Sequence, residues 1–290
     1  MTFSWEVSRK RISVPGIDGT FQYVNTIGRG GQGVINLYTN VSAEQEIVVK
    51  TFLGKDQGCF VESDALEVLH PYRNPRICNA IQLADDYNPR IIFPFYRNGN
   101  LNEFVRDVFC DGEPSLKFKW HVFIQLSEAL AFLHYGCDAG PCDPMTPQKG
   151  RNAIYHADIK ADNVLVTSNY TTVGSAYPDI VLTDFGLASV QSLEGFDRKR
   201  RHNKMRMDVK AVARIVLAYD FRDRVDSQYW GEDLTEEDLQ AFADDLEYGA
   251  KELYEWLALA FFDENMTALG LLREMVPQGK EIITRLSDEE

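Results

Sequence analysis

No apolar run in this chain approaches the roughly 20 residues that a membrane-crossing helix requires, so no spanning segment is expected. Cysteine is sparse: Cys59, Cys78, Cys110, Cys137 and Cys142 form no Cys-x-x-Cys pair, and five cannot complete a disulfide framework. Cys137 and Cys142 are close enough in sequence to pair, but free thiols in a reducing compartment are the favoured reading. The opening residues Met1-Thr2-Phe3-Ser4-Trp5-Glu6 lack the basic-then-apolar layout of a secretory signal, so a cytoplasmic protein is expected. Positive charge is also short, with 30 Lys and Arg against 44 Asp and Glu and a net charge of −14. Residues 207–290 alone hold 21 acidic and 8 basic side chains. Such a surface repels a phosphodiester backbone, so no nucleic-acid partner is expected; the solvated faces of acidic helices account for the excess. What remains, 290 residues with 44% hydrophobic and 26% charged, suffices for one large core or two modest ones.

Apolar alternation marks short strands at Ile12–Val14, Phe21–Ile27, Ile35–Tyr38 and Glu46–Phe52. Between the second and third lies Gly28-Arg29-Gly30-Gly31-Gln32-Gly33-Val34, a G-x-G-x-x-G run closed by a valine. A dinucleotide-binding turn would need a helix opening directly on these glycines, and no helix signal follows. The pattern suits a hairpin whose backbone amides close over phosphates, glycine being needed where a side chain would block the approach. Seventeen residues beyond Gly33, the strand Glu46–Phe52 carries Lys50 at the end of its apolar run. A lysine there can simply snorkel to solvent, or it can reach phosphates, in which case it needs a carboxylate partner. Phe60–Leu69 has helical spacing and offers Glu62 or Glu67; Glu62 is preferred because Leu66 and Leu69 then share its face. Further strands are expected at Ala80–Leu83 and Arg90–Phe95, then a turn at Arg97–Leu101 that enters a helix.

Trp120–Tyr135 has the periodicity of a core helix, with His134 packed or at its solvent edge. Gly136–Asn152, which contains three prolines, reads as an exposed loop. After it comes Tyr155-His156-Ala157-Asp158-Ile159-Lys160-Ala161-Asp162-Asn163. Asp, Lys two places on and Asn five places on is the spacing of a phosphoryl-transfer loop: a carboxylate for a hydroxyl proton, an ammonium for the moving phosphate, an amide oxygen for a metal. Strands at Val164–Val166 and Asp179–Thr183 follow, the second delivering Asp184-Phe185-Gly186, 26 residues after Asp158.

Taken in order, the glycine hairpin, Lys50, Glu62, the catalytic-type loop and Asp184-Phe185-Gly186 resemble a eukaryotic-type protein kinase over about Phe21 to Tyr219. Lysine two places after the loop aspartate resembles the serine/threonine branch. The resemblance implies an α+β, two-lobed fold: a small antiparallel β-sheet lobe at residues 1–97 and a larger, mainly helical lobe at 98–290, hinged near Arg97. It implies ATP and Mg²⁺ as cofactors and a protein as substrate. Asp158 would take the acceptor proton and Lys160 would contact the γ-phosphate. Asn163 and Asp184 would hold the metal. Gly28, Gly30, Gly33, Val34, Val48, Lys50, Glu62 and Leu165 would line or organise the nucleotide site. Pro94 would offer adenine a carbonyl and Tyr96 a backbone N–H. His156 would be structural.

Departures from the family pattern limit this. Ala157 stands where regulated members carry an arginine that meets a phosphorylated activation loop, so activity independent of that switch is expected. Val48 replaces a small residue and would tighten the adenine pocket, which Phe93 would close. Only 23 residues separate Asp184 from Asp208, expected to open a buried helix at Met207–Tyr219, and no Ala-Pro-Glu lies between. In its place Arg198–Arg206 holds six Lys or Arg in nine residues. Three readings of it stay open: docking of acidic or phosphorylated substrates, a nuclear-import signal, or a solvated basic loop. Helices are expected at Leu234–Tyr248, Lys251–Phe262 and Met266–Met275. A nucleotide-binding pseudokinase and a small-molecule kinase are the alternatives to a serine/threonine protein kinase.

Overall fold

A computed structural model of the chain describes residues 11–30, 33–40, 42–52, 57–83, 90–110, 113–137, 151–170, 176–191, 198–221, 235–244 and 246–289. The chain divides into two compact units, one made of 1–73, 78–96 and 185–187, the other of 74–77, 97–184 and 188–290.

The first unit is an antiparallel sheet of five strands in sequential order: β1 (Arg11–Val14), β2 (Ile17–Gly30), β3 (Gly33–Asn40), β4 (Gln45–Phe52) and β5 (Arg90–Pro94). Period-two alternation decides which face is buried. Tyr38, Ile47, Val49 and Ile92 point together into one core with Val14 and Phe21. Helix α1 (Gln57–Leu69) buries Glu62, Ala65, Leu66 and Leu69, the i, i+3, i+4, i+7 stripe its sequence spacing dictates. The strand expected at Ala80–Leu83 is a single bridge, Gln82 to Ile92, with Ile81 and Gln82 donating to the Ile92 carbonyl. Residues 84–89 lie outside the described set.

The second unit is built on α3 (Leu116–Tyr135), preceded by α2 (Leu101–Phe109). Every α3 side chain from Lys117 to His134 is buried, so this helix is a core rod rather than an amphipathic surface helix. Ser115 caps its start by accepting from the Phe118 N–H, and Gly136 ends it at φ +71°. Four short strands follow: β6 (Ala153–Tyr155), β7 (Val164–Val166), β8 (Ile180–Leu182) and β9 (Ser189–Gln191). They pair antiparallel as β6–β9 and β7–β8. Helix α4 (Arg198–Leu217) begins nine residues before the expected start, so the basic stretch is helical rather than a loop. Lys199 and Arg200 on it are exposed, while two further side chains find carbonyl partners. Arg206 is buried and donates to the Ala260 carbonyl, while His202 reaches the Glu264 carbonyl. Both cap the carbonyl end of α6 (Ala250–Phe262), which follows α5 (Glu236–Asp244).

The helix expected at Met266–Met275 is longer and composite. A single turn, α7 (Ala268–Gly270), runs through a π segment (Leu271–Met275) into α8 (Val276–Glu289). α8 packs on α3, where Lys280 donates to Glu128 at 2.7 Å. Glu128 also accepts from Arg76 at 2.8 Å, and Arg76 pairs with Asp179 at 3.2 Å. Gln125 joins them, accepting from the Ile180 N–H and donating to Asp179. This buried network places β8, the strand that leads to Asp184. The proline-bearing insertion falls largely on residues 138–150, outside the described set.

Candidate functional site

In the first unit the register of β3 against β4 fixes what faces what. Ile35 lies opposite Lys50, and Leu37 opposite Val48. Opposed residues in an antiparallel pair share a face, so Ile35, Leu37, Val48 and Lys50 project together, with Phe93 opposite Val48 on β5. Val34, expected at this face, is opposite Thr51 and projects from the other one. The correction is one of parity: the residue on the lysine face is two beyond Gly33, so Ile35 takes the role assigned to Val34. Counting by twos from Gly33 would have found it.

The glycines divide by physical need. A Cβ on Gly33 would sit 2.5 Å from the Thr51 carbonyl oxygen, so that glycine lets β3 and β4 close on each other. A Cβ on Gly30 would meet no described atom within 4 Å, so its backbone stays open to approach. At Gly28 the neighbour is the Ile35 side chain at 3.2 Å. Lys50 Nζ meets Glu62 Oε2 at 2.6 Å, with side-chain exposures of 10% and 1%; Glu67 is exposed. Two opposite charges this buried hold each other ionised, and they fix the ammonium at the edge of the Ile35–Val48 face. Pro94, the last residue of β5, and Tyr96, just beyond it, are partly buried. Burial drives the Tyr96 phenol well above its ordinary pKa, reinforced by the Cys78 thiol that it hydrogen-bonds.

In the second unit the candidate loop is held from several directions. Asp208, inside α4, accepts from the His156 N–H and the Ala157 N–H, each at 2.9 Å, and lies 3.0 Å from His134 Nε2. These bonds hold Ala157 at φ +63°, a left-handed conformation that non-glycine residues rarely adopt. His156 Nε2 donates to the Thr183 carbonyl and its Nδ1 accepts from the Asp158 N–H. Those partners require a neutral ring, and burial lowers its pKa accordingly. The Thr183 N–H donates to the Asn163 carbonyl at 2.9 Å. Thr183 is thus gripped at both its N–H and its C=O by the loop, which sets the position of the next residue, Asp184, at φ +62°.

Within the loop, Asn163 Nδ2 donates to the Asp158 carbonyl at 2.8 Å and to Asp158 Oδ2 at 2.9 Å. Lys160 Nζ donates to the same Oδ2 at 2.8 Å. That hydrogen bond raises the lysine pKa, so the ammonium is charged at neutral pH. Both donors engage one oxygen of Asp158, leaving Oδ1 as the end presented to an acceptor. Asn163 likewise spends its amide nitrogen on Asp158. Leu165 is partly buried on β7, bridged to Asn100. The second unit therefore brings Asp158, Lys160 and Asn163 together and ties Asp184 to them through Thr183. Lys50 and Glu62 meet in the first.

The protein kinase domain model matches residues 21–203, well over half of the chain. The chain belongs to the protein kinase domain family. Among similar proteins, a leucine-rich repeat receptor-like serine/threonine-protein kinase of Arabidopsis thaliana is 28% identical over 66% of this chain and 16% of its own length. A second receptor-like serine/threonine-protein kinase of that plant is 30% identical over 59% of this chain and 28% of its own length. A protein of Dictyostelium discoideum named as a probable serine/threonine-protein kinase is 26% identical over 59% and 20% respectively. The chain thus spans only a small part of these relatives. The kinase match ends at residue 203, inside α4, so the helices beyond it are where this chain departs most from the family model.

Proposed function

We propose that this chain is a protein kinase that transfers the γ-phosphate of ATP to serine or threonine hydroxyls. The observation that carries the reading is the Asp158 cluster, in which Lys160 and Asn163 both donate to Oδ2 and leave Oδ1 available. In the transfer, the acceptor hydroxyl oxygen bonds to the γ-phosphorus as the bond to the ADP oxygen breaks. The hydroxyl proton passes to Asp158, whose geometry is locked by its two donors. Lys160 offsets charge on the phosphoryl oxygens, and Lys50, steadied by Glu62, aligns the α- and β-phosphates. Gly28 and Gly30 present backbone amides, while Ile35 and Val48 supply apolar surface for the base. The Pro94 carbonyl and the Tyr96 N–H meet its polar edge.

Asn163 Oδ1 and the Asp184 carboxylate are hard oxygen donors of the kind magnesium takes, and the amide is already oriented by Asp158, so the residues present fit the ion. When bound, Mg²⁺ supplies charge neutralisation across the phosphates. Every residue role the transfer needs is filled, which favours an active enzyme over a pseudokinase. Ala157 leaves no arginine to meet a loop phosphate, so activity does not depend on that modification.

The test is transfer of labelled γ-phosphate to a mixture of protein substrates. Asp158→Asn keeps both neighbouring hydrogen bonds available but cannot take a proton, so transfer should fall by about 10²–10⁴-fold, with ATP affinity within a few-fold. Transfer at the wild-type rate in that variant would remove Asp158 from the mechanism.

A further inference from the structure

One lysine of α4 reaches the strand pair that flanks the candidate catalytic groups. β6 ends at Tyr155, three residues before Asp158, and β9 begins at Ser189, five residues after Asp184. Tyr155 and Ser189 are register partners. At that point Lys204 Nζ donates to Ser189 Oγ at 2.9 Å and lies 5.4 Å from the centroid of the Tyr155 ring. The next residue, Met205, packs in a cluster with Ala153 and Tyr155, with Tyr135 against it, so the backbone that carries Lys204 is anchored in the core. The Tyr155 ring is fully buried and cannot turn away. A part-buried ammonium is comfortable only where an acceptor and an electron-rich face meet it, and this one has both.

We propose that Lys204 is a positioning residue that holds the segment after Asp184 onto the strand before Asp158, using an unmodified serine hydroxyl as its acceptor. The proposal rests on the kinase reading for its consequence, since fixing both strand ends fixes the spacing of Asp158 and Asp184. It also gives that reading a device. Where regulated kinases resemble a clamp of arginine on phosphate, this chain has Ala157 and brings its cation from α4. The short connection makes this possible: only residues 192–197 lie between β9 and α4. A lysine of the first turns therefore falls within reach of Ser189. The role is one of orientation, as Lys204 touches neither candidate catalytic side chain.

The experiment compares the full chain with Lys204→Met, Lys204→Arg and Ser189→Ala by amide hydrogen exchange and by phosphate-transfer kinetics. Lys204→Met and Ser189→Ala should speed exchange in Ala153–Tyr155 and Ser189–Gln191 by about tenfold, with α3 unchanged, because one charge-assisted bond is lost. Transfer should show kcat lowered about tenfold and KM for ATP within about twofold. Lys204→Arg should restore most of both, and phosphatase treatment of the wild type should leave kcat unchanged. Wild-type exchange in both Lys204→Met and Ser189→Ala overturns the proposal, as does loss of activity on phosphatase treatment. Should Lys204→Met lose protection throughout α3, Ser189→Ala decides alone, since it removes only the acceptor. A wild-type chain that transfers no phosphate defeats the kinase reading, and the exchange comparison still decides Lys204.

Discussion

Lys50 and Glu62 set two demands against each other at the scale of single residues. In the proposed function Lys50 must stay charged to act on phosphates, yet its side chain is only 10% exposed. Glu62 resolves this at a contact of 2.6 Å, and the pair then becomes interdependent. Removing the ammonium leaves a carboxylate with 1% exposure, a loss of about 3–5 kcal/mol in comparable buried pairs. Lys50→Met should therefore lower both phosphate transfer and the stability of the sheet unit. Adding Glu62→Leu to Lys50→Met removes the orphaned charge, and should recover most of the stability while leaving transfer abolished. Urea unfolding and labelled-phosphate transfer on the single and double variants separate the two roles. Equal stability of wild type and Lys50→Met would show that the pair carries no such interdependence.

The elements differ in how far the sequence revealed them, and the reasons are physical. Strand β4 and helices α1 and α6 were legible because each buries a face at its own period, and α3 because its apolar residues are dense enough for a helix buried all round. The Asp158–Asn163 loop and Asp184 were legible because the chemistry proposed for them fixes their spacing. Val34 was misassigned because face is a matter of parity along a strand, and the glycine run conceals where the alternation starts. The basic stretch Arg198–Arg206 looked like a loop because six charges in nine residues suggest solvent. Its Arg206 is buried against a carbonyl supplied by α6, a partner 54 residues away. The helix expected at Met266–Met275 stops short of α8, which contains Pro277 and Gly279, residues disfavoured inside helices. Pro277 comes two residues after the π segment Leu271–Met275, where the regular hydrogen-bond ladder is already interrupted. Gly279 is explained by the neighbour it meets: a Cβ there would lie 2.8 Å from Cε3 and Cζ3 of Trp120. That indole is fully buried and donates from Nε1 to the Gly249 carbonyl, so it has nowhere to go. Alanine would gain about 1 kcal/mol in helix propensity. It would lose about 1–3 kcal/mol to overpacking, at the upper end against a rigid ring. Gly279→Ala should be net destabilising by about 1–2 kcal/mol in urea unfolding; a stabilised variant would show that α8 can lift off Trp120.

For the whole molecule, charge and burial make opposite contributions as pH falls. The chain carries −14 at neutral pH, and carboxylates relieve that repulsion only when they begin to protonate, below about pH 5. Above that range two buried histidines bear on the slope. His121 and His156 are buried, and burial lowers the pKa of each from the ordinary 6.5. Arg76 beside His121 adds to the lowering; Asp179 and Glu128 there, and Asp208, Asp184 and Asp158 around His156, oppose it without prevailing. His156 is hydrogen-bonded as a neutral ring, donating to Thr183 and accepting from Asp158, and His121 is bonded to the Pro178 carbonyl. Unfolding releases them into water, where they take up protons near pH 6.5, so the unfolded state binds more protons than the folded one below that pH. Their stabilising contribution is full above about 6.5 and is lost as pH falls toward the lowered folded values, by up to about 1.4 kcal/mol per pH unit for each ring. Urea midpoints should be level between pH 7.5 and 7 and fall between pH 6.5 and 5.5. His121→Gln retains a donor for Pro178 without a titrating ring, and should cut that slope by about half. A midpoint that stays level down to pH 5.5 would mean that one or both rings are already protonated in the folded chain. Were His156 the protonated ring, the bond from Asp158 N–H to its Nδ1 could not form, and the loop would lose one of its internal contacts.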